Sequence, residues 1–292
     1  MTALLPEWAG LLRRRPSFSE TLEPLGRVIA AWDSEPAEWL TPLACTAESA
    51  AAAWSTGTPL LATALPSIPA NRLEPLLGPA LDVIHPIEDA RPFAEAWDRG
   101  EISPADLLAD VVSGFPCLSS VEGSRTRALQ ERCRLTPQAM TFVAMAGLRP
   151  ALRRYFERSR PLIDPRLWDR GRCPCCGSPP GFADLLEDGR RQLACHMCDA
   201  RWTLARLVCP FCDNRTSSDF VRLIAEDADE GYAIAACRVC RSYIKELDRR
   251  ARWNAGSAIV EDWGSPHLDL IAHRQQYWRP MPTLIQLSAG RL

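Results

Sequence analysis

The sequence predicts an α+β chain: an N-terminal all-α helical domain over residues 1–165, two tandem four-cysteine modules over residues 166–248, and a C-terminal helical segment over residues 249–292 that packs on the other two. Three observations lead there. Eight cysteines fall into four Cys-x-x-Cys pairs between Cys173 and Cys240. The segments between the outer pairs read as hairpins. The first half of the chain holds three widely spaced cysteines and no such pair, and reads as short, proline-punctuated helices.

The helical domain is read from apolar spacing and from helix-start devices. Leu22 to Trp32 ("LEPLGRVIAAW"), the alanine-rich Ala44 to Trp54, and Leu73 to Ile84 carry helical spacing. Gly57 to Ala70 is a proline-punctuated loop. Ser103-Pro104-Ala105-Asp106 opens a helix with a Ser cap, a proline at the first helical position and an acid in the first turn. Thr136-Pro137 repeats the device before "QAMTFVAMAGLRPALRRYF", where Pro150 is expected to kink or break the helix. Arg158 to Arg172 is a polar linker. Cys45, Cys117 and Cys133 are widely spaced and read as core or half-buried positions.

The four pairs are Cys173/Cys176, Cys195/Cys198, Cys209/Cys212 and Cys237/Cys240, separated by 18, 10 and 24 residues. Two pairs per ion is the pattern of a four-thiolate metal site. Each module runs knuckle, strand, turn, strand, knuckle. In the first, Phe182 to Glu187 and Arg191 to Ala194 flank Asp188-Gly189; in the second, Phe220 to Ala225 and Tyr232 to Ala236 flank the acidic turn Glu226 to Gly231. This is the layout of a zinc ribbon or a rubredoxin. The internal repeat favours sequential pairing, Cys173, Cys176, Cys195 and Cys198 at one site and Cys209, Cys212, Cys237 and Cys240 at the other. A cross-braced pairing is the alternative. A thioredoxin-type redox pair occurs once, at a helix start, and does not explain four knuckles. Cys175 is a spare thiol, read as a buried small residue, with a substitute ligand or redox partner as the sharper alternative.

Ligand type does not separate iron from zinc. A closed four-thiolate site has no open position for substrate or water, so its roles are to hold a small fold together or, with iron, to change valence. Both stay open. His196 sits inside a knuckle whose four thiolates are already complete, and it reads with His85, His267 and His273 as a surface or core position. Glu261-Asp262 reads as a solvated helix face, and Glu226–Glu230 as a solvated hairpin tip. Beyond Cys240 the pattern suits a strand ending near Asp248, then helices at Ala258–Asp262 and His267–Trp278.

Composition excludes several classes. The formal net charge is −2, and 33 of the 34 basic residues are Arg, Lys245 being the exception. Phosphate binding usually shows as a basic excess, so nucleic acid is not the expected partner. Arg190, Arg191, Arg201, Arg206, Arg238 and Arg241 flank the knuckles and carry the alternative of a nucleic-acid-binding zinc ribbon. No stretch approaches the length of a membrane span, and the N-terminus lacks the order of a secretory signal. A cytoplasmic location is therefore expected, where clustered cysteines point to metal or redox chemistry and not to disulfides. No Ser-His-Asp set, phosphate loop or zinc-protease motif is present, and no catalytic residue is assigned.

"CPCCGSPP" from Cys173, "CHMCDARW" from Cys195, "LVCPFCDN" from Leu207 and "CRVCRSYIKELD" from Cys237, in that order, resemble the four-motif signature of the formate dehydrogenase accessory protein FdhE family. Trp202 falls on the family's Glu-Trp, with Arg201 in place of the Glu. Tyr243 and Lys245 fall on its Tyr-x-Lys. Phe142 to Arg154 resembles the helix before the metal domain, and "HLDLIAHRQQYW" sits where a helix follows it. The resemblance spans most of the chain and is dense over Arg172–Asp248; Cys175 and the N-terminal half depart from it. It implies a cytoplasmic accessory or maturation factor, chaperone-like and not an enzyme. Such a factor binds the catalytic subunit of respiratory formate dehydrogenase before export and promotes its activity. The implied metal sites are rubredoxin-like, two ions of iron or zinc, each in one four-cysteine set. A rubredoxin-like electron carrier is a further alternative.

Overall fold

The computed structural model describes residues 3–35, 45–63, 65–84, 90–113, 131, 135–162, 164, 167–224 and 230–288. Cys117, Cys133, His85 and residues 226–229 of the second hairpin turn lie outside them.

The helical part is built from stripes that bury one face. In α1 (Leu4–Arg14), Leu4, Trp8 and Leu11 recur at the spacing of one helix face and are buried. They pack on α2 (Ser19–Ser34), which buries Leu22, Leu25, Val28, Ile29 and Trp32. Next come α3 (Ala47–Ser55) and α4 (Leu60–Thr63), the latter a short helix inside the expected loop. Thr46 caps α3 by accepting from the Ser49 amide at 3.2 Å. Then follow α5 (Ala70–Ile84), α6 (Arg91–Asp98) and α7 (Pro104–Ser113). Ser103 and Asp106 cap α7 reciprocally, side chain to amide in both directions, at 3.3 and 3.0 Å.

The long helix α8 (Pro137–Ser159) is the axis of the helical part, and every residue from Ala139 to Leu152 is buried. It starts as expected, with Thr136 accepting from the Ala139 amide at 3.1 Å. It does not break at Pro150. A proline has no N–H to offer the carbonyl four residues back, which here is that of Ala146. The indole N–H of Trp32, on α2, donates to that carbonyl at 2.7 Å. A neighbouring helix thus supplies the donor that Pro150 lacks.

Among the described residues six strands form one sheet in the order β3-β2-β1-β6-β5-β4. The first module gives β1 (Phe182–Leu185), β2 (Arg191–Ala194) and β3 (Arg201–Thr203); the second gives β4 (Phe220–Leu223), β5 (Tyr232–Cys237) and β6 (Tyr243–Asp248). Within each module neighbours are antiparallel, with Phe182 opposite Ala194 and Phe220 opposite Cys237. The modules join through one parallel pair, β1 with β6, where Ala183 faces Glu246.

The C-terminal segment forms α9 (Ala258–Trp263), α10 (Pro266–Arg274) and α11 (Leu284–Ser288). The helix expected to reach Trp278 ends at Arg274. Gln276 adopts the left-handed conformation, φ 60°, which stops a helix. Trp278 then bridges to Ser242 just before β6, its amide donating to the Arg241 carbonyl and its carbonyl accepting from the Tyr243 amide, both at 2.9 Å.

Candidate metal centres

The cysteine sulfurs group sequentially. Cys173, Cys176, Cys195 and Cys198 form one cluster and Cys209, Cys212, Cys237 and Cys240 the other, with the sulfurs of each cluster within 4.8 Å of one another. Local backbone geometry explains the convergence. The residue after each second cysteine, namely Gly177, Asp199, Asp213 and Arg241, has positive φ, between 57° and 81°. The first cysteine's amide then donates across the turn: Cys173 to Ser178, Cys195 to Ala200, Cys209 to Asn214 and Cys237 to Ser242, at 2.8–2.9 Å. Four copies of one turn aim both thiols of each pair inward. The hairpins bring the far turn back to the near one.

The sulfur spacing fits a four-coordinate ion. Metal–sulfur bonds of about 2.3 Å in a tetrahedron require sulfur–sulfur edges of about 3.8 Å. In the first cluster Cys173–Cys198 and Cys176–Cys195 are both 3.5 Å apart. In the second, Cys209–Cys240 is 3.7 Å and Cys212–Cys237 is 3.9 Å. Both donor sets are all-thiolate, a set that suits zinc and iron alike. These are two four-cysteine clusters that could hold metal ions.

The clusters differ in setting. All four cysteines of the first are buried, whereas in the second Cys212 is exposed and Cys240 half-buried. Burial pushes the Cys173 and Cys198 thiols up. Burial also works to raise Cys176, but hydrogen bonds from Cys173, Cys195, Cys198 and Ser178 outweigh it and hold that thiol well below its ordinary value. Cys175 is fully buried beside Cys198 and lies outside the four-sulfur set. Its carbonyl accepts from the Leu61 amide at 2.9 Å. The Pro174 carbonyl accepts from the Leu60 amide at 3.1 Å and the Trp54 indole at 3.0 Å. The helical part thereby clamps the first knuckle.

A buried polar network supports the first cluster from the other side. The Glu261-Asp262 pair, expected to be solvated, is 0 % and 1 % exposed. The reason lies in distant partners. Asp262 accepts from Lys245 at 2.9 Å, from both arms of Arg279 at 2.8 and 2.7 Å, and from His196 Nε2 at 2.8 Å. Lys245 also reaches Asp269 at 2.8 Å, and the Tyr243 hydroxyl donates to Asp269 at 2.7 Å. Two carboxylates face two cations, so the charges balance. Burial alone would raise Asp262, but Arg279 and Lys245 hold its carboxyl well below the usual range. Burial lowers His196, which as a neutral imidazole donates Nε2–H to Asp262. His196 is thus a satisfied core residue, and its carbonyl accepts from Arg149. Glu261 accepts from the Tyr232 hydroxyl and, at 3.1 Å, from Arg14. One signal in the sequence pointed here: the sole lysine of an arginine-rich chain is a position where the compact ammonium matters.

Fold and site together define a class: a helical scaffold carrying a six-stranded sheet with two tetrathiolate clusters. No family model matches the chain. It is similar to the FdhE homologue of Aquifex aeolicus, 28 % identical over 49 % of this chain and 50 % of the relative. It is also similar to those of Pseudomonas putida, 28 % over 40 % and 39 %, and Pasteurella multocida, 32 % over 34 % and 32 %. The chain spans half or less of the length of these curated relatives. The crystal structure of the FdhE protein from Pseudomonas aeruginosa shares the fold, with a TM-score of 0.59 and 21 % identity, covering 98 % of this chain and 94 % of that one. Together these matches support the FdhE family.

Among the described residues no helix is long and apolar enough to cross a membrane.

Proposed function

We propose that this chain is a cytoplasmic, non-catalytic accessory factor that binds the catalytic subunit of formate dehydrogenase and supports its maturation, with one iron or zinc ion in each cluster. Cys173, Cys176, Cys195 and Cys198 hold the first ion and Cys209, Cys212, Cys237 and Cys240 the second. The observation that carries this reading is the pair of closed four-sulfur clusters on an FdhE-type fold. Four protein ligands leave no position for substrate, which favours a scaffold or electron-transfer role over hydrolysis. The metal supplies cross-linking of short hairpins, worth about 10–16 kcal/mol in small zinc peptides, and with iron also a valence change. The chain's own residues supply the rest: eight thiols aimed inward by four turns, and a charge-balanced network that fixes the first cluster against α9 and α10.

The nucleic-acid reading has less support. Of the six knuckle-flanking arginines, five are engaged within the chain: Arg190 with Asp188, Arg191 with the Ala205 and Val208 carbonyls, Arg201 with Asp184, Arg238 with the Ser218 carbonyl and Arg241 with the Gln275 carbonyl.

The test is capture. The tagged chain is incubated with a purified formate dehydrogenase catalytic subunit, beside a Cys209→Ser, Cys212→Ser form. Retention by the native chain and loss by the variant are expected. No retention under reducing, metal-replete conditions overturns the partner assignment.

A further inference from the structure

Two clusters with the same ligands are held in unlike ways. The first is enclosed: Cys173, Cys176 and Cys198 are 0 % exposed and Cys195 1 %. Its first knuckle is fixed by Trp54, Leu60 and Leu61, through the Pro174 and Cys175 carbonyls. Its second knuckle is fixed through His196, whose ring and carbonyl are held by Asp262 and Arg149. Any opening of this cluster must displace packed helices and break a buried ion network.

Among the described residues the second cluster is covered on one side only, at Cys209 and Cys237, each 1 % exposed. Cys212 is exposed and Cys240 half-buried. Val239, inside its second knuckle, is 61 % exposed, and Leu207, just before its first, is 54 % exposed. Its outer support is an exposed hydrogen bond from the Trp278 indole to the Cys240 carbonyl at 3.1 Å. An approaching molecule meets Cys212 at the surface, on the side of the cluster away from the packed helices.

We propose that the clusters are unequal in use: the enclosed one holds its ion permanently, and the second, through Cys212 and Cys240, exchanges its ion with thiol-bearing molecules from solution. The step is ligand substitution. The sulfur of an incoming thiol takes the place of Cys212, and Cys212 Sγ takes up the proton that the incoming thiol gives up. No electron changes hands, so no oxidant or reductant is needed. The proposal rests on the reading that both clusters are metal sites.

The test uses the full chain loaded with zinc, which avoids oxidation chemistry. Zinc is counted first, then EDTA and reduced glutathione are added, and release is followed with time. Samples are quenched with N-ethylmaleimide and the modified cysteines are mapped by mass spectrometry. The expected result is two phases. One equivalent leaves at least about tenfold faster, because local opening is easier at an exposed site than in a packed core, and glutathione accelerates that phase. Cys209, Cys212, Cys237 and Cys240 are modified in it, while Cys173, Cys176, Cys195 and Cys198 stay protected. Release of both equivalents at one rate, or early modification at the enclosed cluster, overturns the proposed inequality. A starting count below two zinc ions per chain overturns the metal reading beneath it, and the inequality with it.

Discussion

Asp262→Asn removes one negative charge from the centre of the buried network and leaves the side-chain volume almost unchanged. Asp262 is 1 % exposed and accepts from Lys245, Arg279 and His196 at 2.7–2.9 Å. In the variant, Lys245 and Arg279 share the single carboxylate of Asp269, 2.8 and 3.8 Å away, and one buried positive charge is uncompensated. Breaking a buried pair from one side costs about 3–5 kcal/mol. The remaining Asp269 contacts place the expected loss near the lower bound, about 3 kcal/mol, against a typical total stability of about 5–15 kcal/mol. Urea denaturation of the metal-loaded protein, followed by tryptophan fluorescence, measures it as a lower midpoint with unchanged slope. The pH dependence carries a sign. A carboxyl depressed in the folded state contributes stability that is present above its unfolded pKa of about 3.9 and lost as pH falls through the lower folded value. The gap between native and variant is therefore constant at neutral pH and closes only in acid. A loss under about 1 kcal/mol at neutral pH, within the range of an exposed pair, would refute the reasoning.

Trp32→Phe removes the donor that serves the Ala146 carbonyl beneath Pro150; a loss of about 1–3 kcal/mol is expected from the stranded buried acceptor, and Trp32→Phe combined with Pro150→Ala should recover part of it. Gly171→Ala would set a Cβ 2.0 Å from the Pro210 carbonyl oxygen, inside the first knuckle of the second cluster. Because the obstacle is backbone, about 1–3 kcal/mol of destabilisation is expected, together with weaker metal retention at the second cluster, read by metal analysis after dialysis. Glu246, on β6, is buried and raised by desolvation despite Arg191, Arg222 and Arg206. Its stabilising contribution is present below its unfolded pKa and lost as pH rises through the folded value. Glu246→Gln is expected to be more stable than the native chain at neutral pH, with a flatter stability profile above pH ~4.3.

The parts of the fold legible in sequence were those set by neighbours along the chain. The caps at Ser103 and Thr136 and the helical stripes of α2 and α5 depend on residues three or four apart. The turn at Gly189 and the strand pairs of each hairpin depend on residues within one module. What escaped reading depends on distant partners. Asp262 sits beside Glu261 on a six-residue helix, and such a pair is ordinarily solvated. Its burial follows from Lys245, His196 and Arg279, which lie 17 and 66 residues before it and 17 after it. The same holds for Pro150, whose missing donor is returned by Trp32 across 114 residues. The parallel pairing of β1 with β6 likewise leaves no local mark, because it joins the edge strands of two separately readable modules.

Two all-sulfur clusters that each hold one ion have a direct spectroscopic signature. X-ray absorption of the full chain, joined to elemental analysis of the same sample, tests it most directly. Two ions per chain are expected, iron or zinc, with four sulfur neighbours each at about 2.3 Å and no nitrogen or oxygen ligand. One ion per chain, or a first shell that includes nitrogen or oxygen, would contradict it.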